Sequence, residues 1–322
     1  MPLLGHSSYR APPALPGGHL QTIFPAVFRR VLPVTREAER ITTPDGDFLD
    51  LDWNREAGAT RLVIISHGLE GNSRNACIQG MARAFVRAGW DALAWSLRGC
   101  SGEPNRLLRS YHSGATDDLA AVIAHAAPRY RTVSLVGFSL GGNITLKYLG
   151  EGADPKVAGA VAFSVPCDLA SSAIRLESLA NRIYMQHFLS GLRVKILEKM
   201  SMFPGQVEIG GLTKMSTFRE FDGAYTAPMN GFLSADDYWQ RASSKPVLAG
   251  ITVPALLVNA RNDPFLPPAC FPEEEAKASA AFHLETPRDG GHVGFAAFNL
   301  RGEYWSDSRA VSFLAQYSPQ AD

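Results

Sequence analysis

Gly137-Phe138-Ser139-Leu140-Gly141-Gly142 follows directly on the apolar run 132–136. A serine therefore stands where a strand would turn sharply into a helix. A serine hydroxyl is a weak nucleophile and must be exposed, aimed and activated. The sharp turn does the aiming, with the serine backbone strained. It leaves no room for side chains two residues before and two residues after the serine, and Gly137 and Gly141 present none. The helix that begins there, expected over 141–149, directs its first N–H groups at the place where negative charge would develop. The chemistry this serves is nucleophilic attack by Ser139 on an acyl carbon.

Such a serine needs a base, and the base an orienting carboxylate. Eight histidines are available: His6, His19, His67, His112, His125, His187, His283 and His292. His283 falls within an expected strand, His125 within an expected helix and His6 in the Pro-rich N-terminus. His292 follows Gly290-Gly291 in the loop after the last expected strand, where a flexible backbone can present an imidazole. The carboxylate should end a strand between serine and histidine. Asp263 does so in Ala260-Arg261-Asn262-Asp263-Pro264, although an aspartate before proline is also an ordinary turn residue. One helix and one strand separate it from His292. Asp168, which ends the strand after the serine strand, is its rival. A developing oxyanion needs two preorganised donors. The backbone N–H of Leu140 is one. Leu69, in the loop His67-Gly68-Leu69-Glu70-Gly71, is the other, with Gly68 permitting close approach. His67 reads as a brace for that loop rather than a second base. Glu70 has no role derivable from its position.

The elements that must carry these residues alternate. After an expected hairpin (37–41 and 48–53 around Thr43-Pro44-Asp45-Gly46) come strands near 62–66, 92–96, 132–136, 157–165, 255–259 and 282–286. Helices near 76–88, 116–126, 272–280 and 303–317 lie between and after them. Strands alternating with helices imply a mainly parallel sheet covered on both faces, with ligand sites at the carboxyl ends of the strands. Residues 168–245 break the rhythm and read as a helical lid. The expected organisation is an N-terminal extension (1–35) with a short helix within 20–32, an α/β core (36–167 and 246–322), and the lid (168–245). Met185, Phe188, Leu189, Met200, Met202, Phe203, Met215 and Phe218 could line an acyl pocket, since Met fills irregular shapes. Core packing is an equal reading for most of them.

Composition narrows the class. Acidic and basic residues balance at 31 each in 322 residues, so no electrostatic footprint for nucleic acid or an anionic membrane is present. The N-terminus lacks the pattern of a signal peptide, and no run approaches a membrane span. Four scattered cysteines (Cys77, Cys100, Cys167, Cys270) without CxxC fit a reduced, cytoplasmic protein. No metal or cofactor is implied.

With Ser139, Asp263, His292 and His67-Gly68 in this order, the sequence resembles the α/β-hydrolase superfamily. The finer resemblance is to its YheT-like branch, which includes bacterial hydrolases and eukaryotic medium-chain esterases and phospholipases. It rests on Gly17-Gly18-His19-Leu20-Gln21-Thr22, on the Gly68 loop and on Arg98-Gly99-Cys100-Ser101-Gly102-Glu103-Pro104-Asn105. Tyr111-His112-Ser113-Gly114, the Ser139 turn and Asp236-Asp237-Tyr238 before Ser243-Ser244 complete it. Taken alone, Arg98 could ion-pair within its loop, Ser113 or Thr116 could cap a helix, and Asp236 and Asp237 could sit on a helix dipole. The resemblance implies an α/β-hydrolase fold and a serine hydrolase. Together with the Ser-Asp-His order, it leads to the expectation of cleavage of small-molecule carboxylic esters, with short or medium acyl chains, through an acyl-enzyme. Acyl transfer and thioester cleavage share the first half-reaction. A silent binding protein on the same scaffold would be told apart by its failure to react with a fluorophosphonate.

Overall fold

The computed structural model describes residues 3–32, 35–208, 210–299 and 302–318. Residues 1, 2, 33 and 34 of the expected 1–35 extension, and residues 300, 301 and 319–322 of the closing segment, lie outside the described residues. The described residues form a nine-stranded sheet in the order β1-β9-β8-β7-β6-β4-β5-β3-β2. The strands are β1 (Leu3–Leu4), β2 (Glu37–Thr42), β3 (Phe48–Asn54), β4 (Arg61–Ser66), β5 (Asp91–Ser96), β6 (Thr132–Phe138), β7 (Val157–Phe163), β8 (Ala255–Val258) and β9 (Phe282–Glu285). The hairpin β2–β3 and the pair β3–β5 are antiparallel, and all other pairs are parallel.

Side-chain alternation along the central strands sends residues to two cores. Leu62 and Ile64 of β4, with Val133 and Leu135 of β6, face α3 (Thr116–Ala126) and α4 (Leu140–Gly152). Val63, Ile65 and Val136 face α2 (Ala76–Arg87) and the closing helix α11 (Trp305–Leu314). Near-continuous apolar strands are what a sheet covered on both faces requires. An additional helix, α1 (Gly17–Phe28), lies in the N-terminal segment and begins before the stretch expected from apolar residues alone.

Register places the strand ends level. Phe138 of β6 pairs Phe163 of β7, which pairs Val258 of β8. The ladder then continues through the first residue past each strand: Ser139 N–H donates to Phe163 O (2.8 Å), Ser164 N–H to Val258 O (2.9 Å) and Asn259 N–H to Glu285 O (3.1 Å). Backbone hydrogen bonds thus fix the take-off point of each loop that carries site residues.

Between β7 and β8 runs a helical insertion comprising α5 (Leu169–Leu176), α6 (Arg182–Met202), α7 (Phe218–Phe221), a π-helical turn (Asp222–Thr226), α8 (Ala227–Met229) and α9 (Ala235–Ala242). It has an apolar cluster of its own, with Met185, Leu189, Phe218, Phe221 and Trp239. After β8 come α10 (Glu273–Ala278), β9 and α11. The sequence pattern places most elements within a few residues. The serine strand runs two residues further, to Phe138, and α4 runs on to Gly152. The two-residue β1, which pairs with β9, was not expected: Leu3-Leu4 is too short to show a period. No helix among the described residues is long and apolar enough to cross a membrane.

Candidate active site

Ser139 occupies the turn between β6 and α4 with φ 52° and ψ −118°, a conformation that non-glycine residues rarely adopt. The neighbouring glycines show why it is held there. A Cβ on Gly137 would strike Gly142 and Thr145, and one on Gly141 would strike the carbonyls of Ser66 and His67. The helix N-terminus is therefore pressed onto the end of β4, and the loop leaving β4 lies against the serine. A Cβ on Gly68 would sit 3.2 Å from the Ser139 Cβ.

His292 Nε2 lies 2.9 Å from Ser139 Oγ, and His292 Nδ1 lies 2.9 Å from Asp263 Oδ2. Asp263 is buried and accepts on its other oxygen from the Phe265 N–H (2.9 Å). A carboxylate acceptor on Nδ1 leaves Nε2 without a proton, ready to accept from the serine hydroxyl. The Phe265 ring lies against the imidazole at a tilt of 39°, 4.2 Å between centroids. Asp168 is elsewhere: it caps α5, accepting from the Ser171 N–H at 3.0 Å. The structure thus brings Ser139, Asp263 and His292 together and leaves Asp168 out.

Leu69 and Leu140 line one cavity together with Ser139 and His292. No hydrogen bond from the backbone N–H of Leu69 or Leu140 occurs among the described residues. His67 does not reach the serine. Its Nδ1–H donates to Gly68 O (2.7 Å), and its Nε2 accepts from the Leu97 N–H (3.0 Å). Burial lowers its pKa to about 4, so the ring stays neutral and braces the loop.

Two cavities meet at Ser139 and His292. One, of about 110 Å³, is walled by Leu169, Ala173, Leu176, Phe188, Leu192, Phe218 and Trp239 of the insertion, with Phe265 and Tyr111. Of the insertion residues singled out from the sequence, only Phe188 and Phe218 line it. Met185 and Leu189 are buried within the insertion, and Met202 is exposed. Asp222 sits in the wall, where burial raises its pKa to about 6 although Thr226 and Trp239 donate to it. The other cavity, of about 310 Å³, is more polar, with Thr22, Arg29, His67, Asn75 and His187 among its walls.

Other residues hold the site without touching Ser139. Gln21 Oε1 accepts from the Gly290 N–H (2.7 Å) and from Asn262 Nδ2 (2.9 Å), and Thr22 Oγ1 accepts from the His292 N–H (2.8 Å). The loops bearing Asp263 and His292 are thus pinned to α1. Residues 17–22 carried this signal as a motif, but no chemistry in the sequence tied it to His292. Asn143 of α4 donates to Ser113 O and Ala242 O and accepts from the Ser244 N–H. Tyr238 Oη donates to Ser113 Oγ (2.9 Å) and accepts from the Ser113 N–H (2.9 Å).

Two bland readings change. Neither Ser113 nor Thr116 caps α3, whose N-cap is Ala115 without a side-chain bond. Arg98 does not pair within its loop. Its buried guanidinium bonds Asp118 of α3 and Asp45 and Asp47 of the hairpin turn. Asp236 and Asp237 do lie in the first turn of α9, behind the Ser234 cap. No cluster of metal-ligating side chains occurs among the described residues.

Residues 61–296 match the family model of the alpha/beta hydrolase fold. The chain is 34% identical to YheT of Escherichia coli over 93% of its own length and 90% of that protein's. It is 30% identical to a protein of Homo sapiens named phospholipase ABHD3, over 86% of this chain and 71% of that one. A solved esterase of Pyrococcus furiosus superposes with a TM-score of 0.58 at 19% identity, covering 88% of this chain and 92% of that chain, which speaks for the fold. The nine-stranded architecture, the family match across the core and the YheT relative agree: the chain belongs to the α/β-hydrolase family, in its YheT-like branch.

Proposed function

We propose that the protein is a serine hydrolase of carboxylic esters with short or medium acyl chains. The observation that carries this reading is the chain of two 2.9 Å hydrogen bonds from Ser139 through His292 to Asp263, at the mouth of an apolar cavity. A relative named a phospholipase supports an ester as the substrate. Ser139 Oγ attacks the acyl carbon while its proton passes to His292 Nε2. Asp263 holds the imidazole in the required tautomer and stabilises the imidazolium. The N–H groups of Leu69 and Leu140 receive the oxyanion, a role worth about 2.7–4 kcal/mol per donor in other enzymes. His292 then returns the proton to the leaving alcohol. Water, activated by His292 in turn, cleaves the acyl-enzyme and restores the Ser139 hydroxyl.

The two cavities suit the two halves of an ester. The apolar one takes the acyl chain, under the insertion acting as a lid over the core of 36–167 and 246–322. The more polar one takes the alcohol and admits water. The test is a graded series of p-nitrophenyl esters together with a fluorophosphonate probe. Turnover and a covalent label mapped to Ser139 are expected. Unmodified protein that neither turns over nor labels would leave a silent binding protein as the reading. Product formed only when an alcohol or thiol acceptor is added would favour acyl transfer.

A further inference from the structure

The loop that carries Leu69 is closed in an unusual way. Gly71 N–H donates to Gly68 O (3.1 Å), and Glu70 has φ 55° while Leu69 keeps a negative φ. These φ signs are those of a type II turn, with glutamate at the position that glycine normally takes. A non-glycine residue persists there only when its surroundings over-determine it.

They do so here. The Glu70 carboxylate accepts from Tyr111 Oη (2.5 Å) and from Lys195 Nζ (2.7 Å), and the Glu70 N–H donates back to the phenol oxygen (3.3 Å). Burial holds the Tyr111 hydroxyl in its protonated, donating form. Lys195 also donates to Cys100 Sγ (3.3 Å) and stands over the Tyr111 ring at 5.1 Å. Lys195 belongs to α6. Gly191, four residues earlier on the same helical face, has no room for a Cβ because the Glu70 carboxylate fills that space. The helix thus runs flush against Glu70 and grips it with an ammonium group. Gly68 at one end of the turn abuts Ser139, while Leu69 and Tyr111 both face the apolar cavity.

We propose that Glu70 is a positioning residue, which fixes the Leu69 N–H beside Ser139 and, through Lys195, makes the docked insertion a condition of a complete oxyanion hole. This rests on the ester-hydrolase reading above. The insertion then does more than wall the acyl site: its seating is felt by the donor that stabilises the transition state. Loss of the clamp lowers the rate of the chemical step without weakening the capture of the ester, because the cavity walls remain.

The test uses the full chain with Glu70→Gln, Lys195→Met, the double variant, and the swap Glu70→Lys with Lys195→Glu. Three quantities are measured: kcat and KM on an ester that the unmodified protein hydrolyses, the inhibition constant of a trifluoromethyl ketone bearing the same acyl chain, and Tm. The ketone adduct places an alkoxide where the oxyanion forms. Misplacing one of two donors should lower kcat on the order of 10-fold and raise the inhibition constant by a similar factor, with KM little changed. The double variant should be no worse than the poorer single one, because both act through one contact, and the swap should recover part of the loss. Unchanged kcat would overturn the proposal. So would a fall in Tm with the inhibition constant unmoved, or losses that simply add. A protein without any ester turnover or fluorophosphonate label would overturn the functional reading and this inference with it. Normal labelling and turnover with indifferent Glu70 variants would overturn the clamp alone.

Discussion

Ser139, His292 and Asp263 hang from the sheet, whereas much of the wall of the apolar cavity hangs from the insertion, and the two regions are built differently. Ser139 is fixed by strand register, by glycines that allow backbone to touch backbone, and by a hydrogen bond to Phe163 O. His292 is pinned through Thr22 and Asp263. The insertion packs on its own apolar cluster. It reaches the body through Phe265, which shares that cluster, and through polar ties, among them Tyr238 to Ser113, Asn181 to Pro264 O, and Lys195 to Glu70. The difference teaches that the position of Ser139 is set by backbone, whereas the cavity wall is set by side chains that can be exchanged one at a time, and that the two regions meet at the Lys195–Glu70 contact.

The strongest test of this contrast is Ser139→Ala. The variant should keep its fold and lose ester hydrolysis by a factor on the order of 10⁴–10⁶ in kcat. A purified variant with a near-normal rate on p-nitrophenyl butyrate would break the assignment of the sheet-borne residues. Next, Asp263→Asn should lower kcat by roughly 10⁴ by favouring the wrong imidazole tautomer. Asp168→Asn should cost far less, since asparagine caps a helix about as well as aspartate. The reverse ranking would transfer the acid's role to the end of β7.

Changes in the insertion should act on preference. In the unmodified protein kcat/KM should climb with acyl length by about fourfold per buried methylene, the equivalent of about 0.8 kcal/mol, and then fall once the cavity is full. Leu176→Trp, which fills part of the cavity, should move the optimum to shorter chains. A flat profile from acetate to decanoate would refute an enclosed acyl site.

The smallest expected effect is on stability against pH. Burial lowers the pKa of His67 and of His112 to about 4, below the unfolded value of about 6.5. The folded state therefore binds fewer protons, and their contribution is complete above pH about 6.5 and is lost as pH falls towards 4. Asp222 has the opposite sign. Its folded pKa of about 6 exceeds the unfolded value of about 3.9, so its cost is complete above pH about 6 and fades on acidification. The Tm of His112→Gln relative to the unmodified protein should rise as pH drops from 7 to 4.5. That of Asp222→Asn should rise as pH climbs from 4.5 to 7. Parallel Tm curves would show that these groups do not feel their burial.

Much of this protein is legible in its sequence, because local rules fix local things. Alternating strand and helix patterns announce the sheet, and Gly137 and Gly141 announce a turn that tolerates no Cβ. The loop glycines before His292 likewise mark where a flexible backbone can present a base. What the sequence by itself determined was the kind of each part and its order along the chain. The sequence already favours Asp263 over Asp168, because one helix and one strand separate it from His292, but only tertiary structure puts its carboxylate 2.9 Å from that imidazole and leaves Asp168 capping α5. The same holds for Gln21 and Thr22, whose acceptors meet loops 241 to 270 residues away, and for Arg98, whose partners lie on two separate segments. Glu70 is the clearest instance. Its meaning lies in a left-handed turn, a phenol and a lysine from another helix, and no spacing in the chain encodes that meeting, because long-range packing brings those groups together.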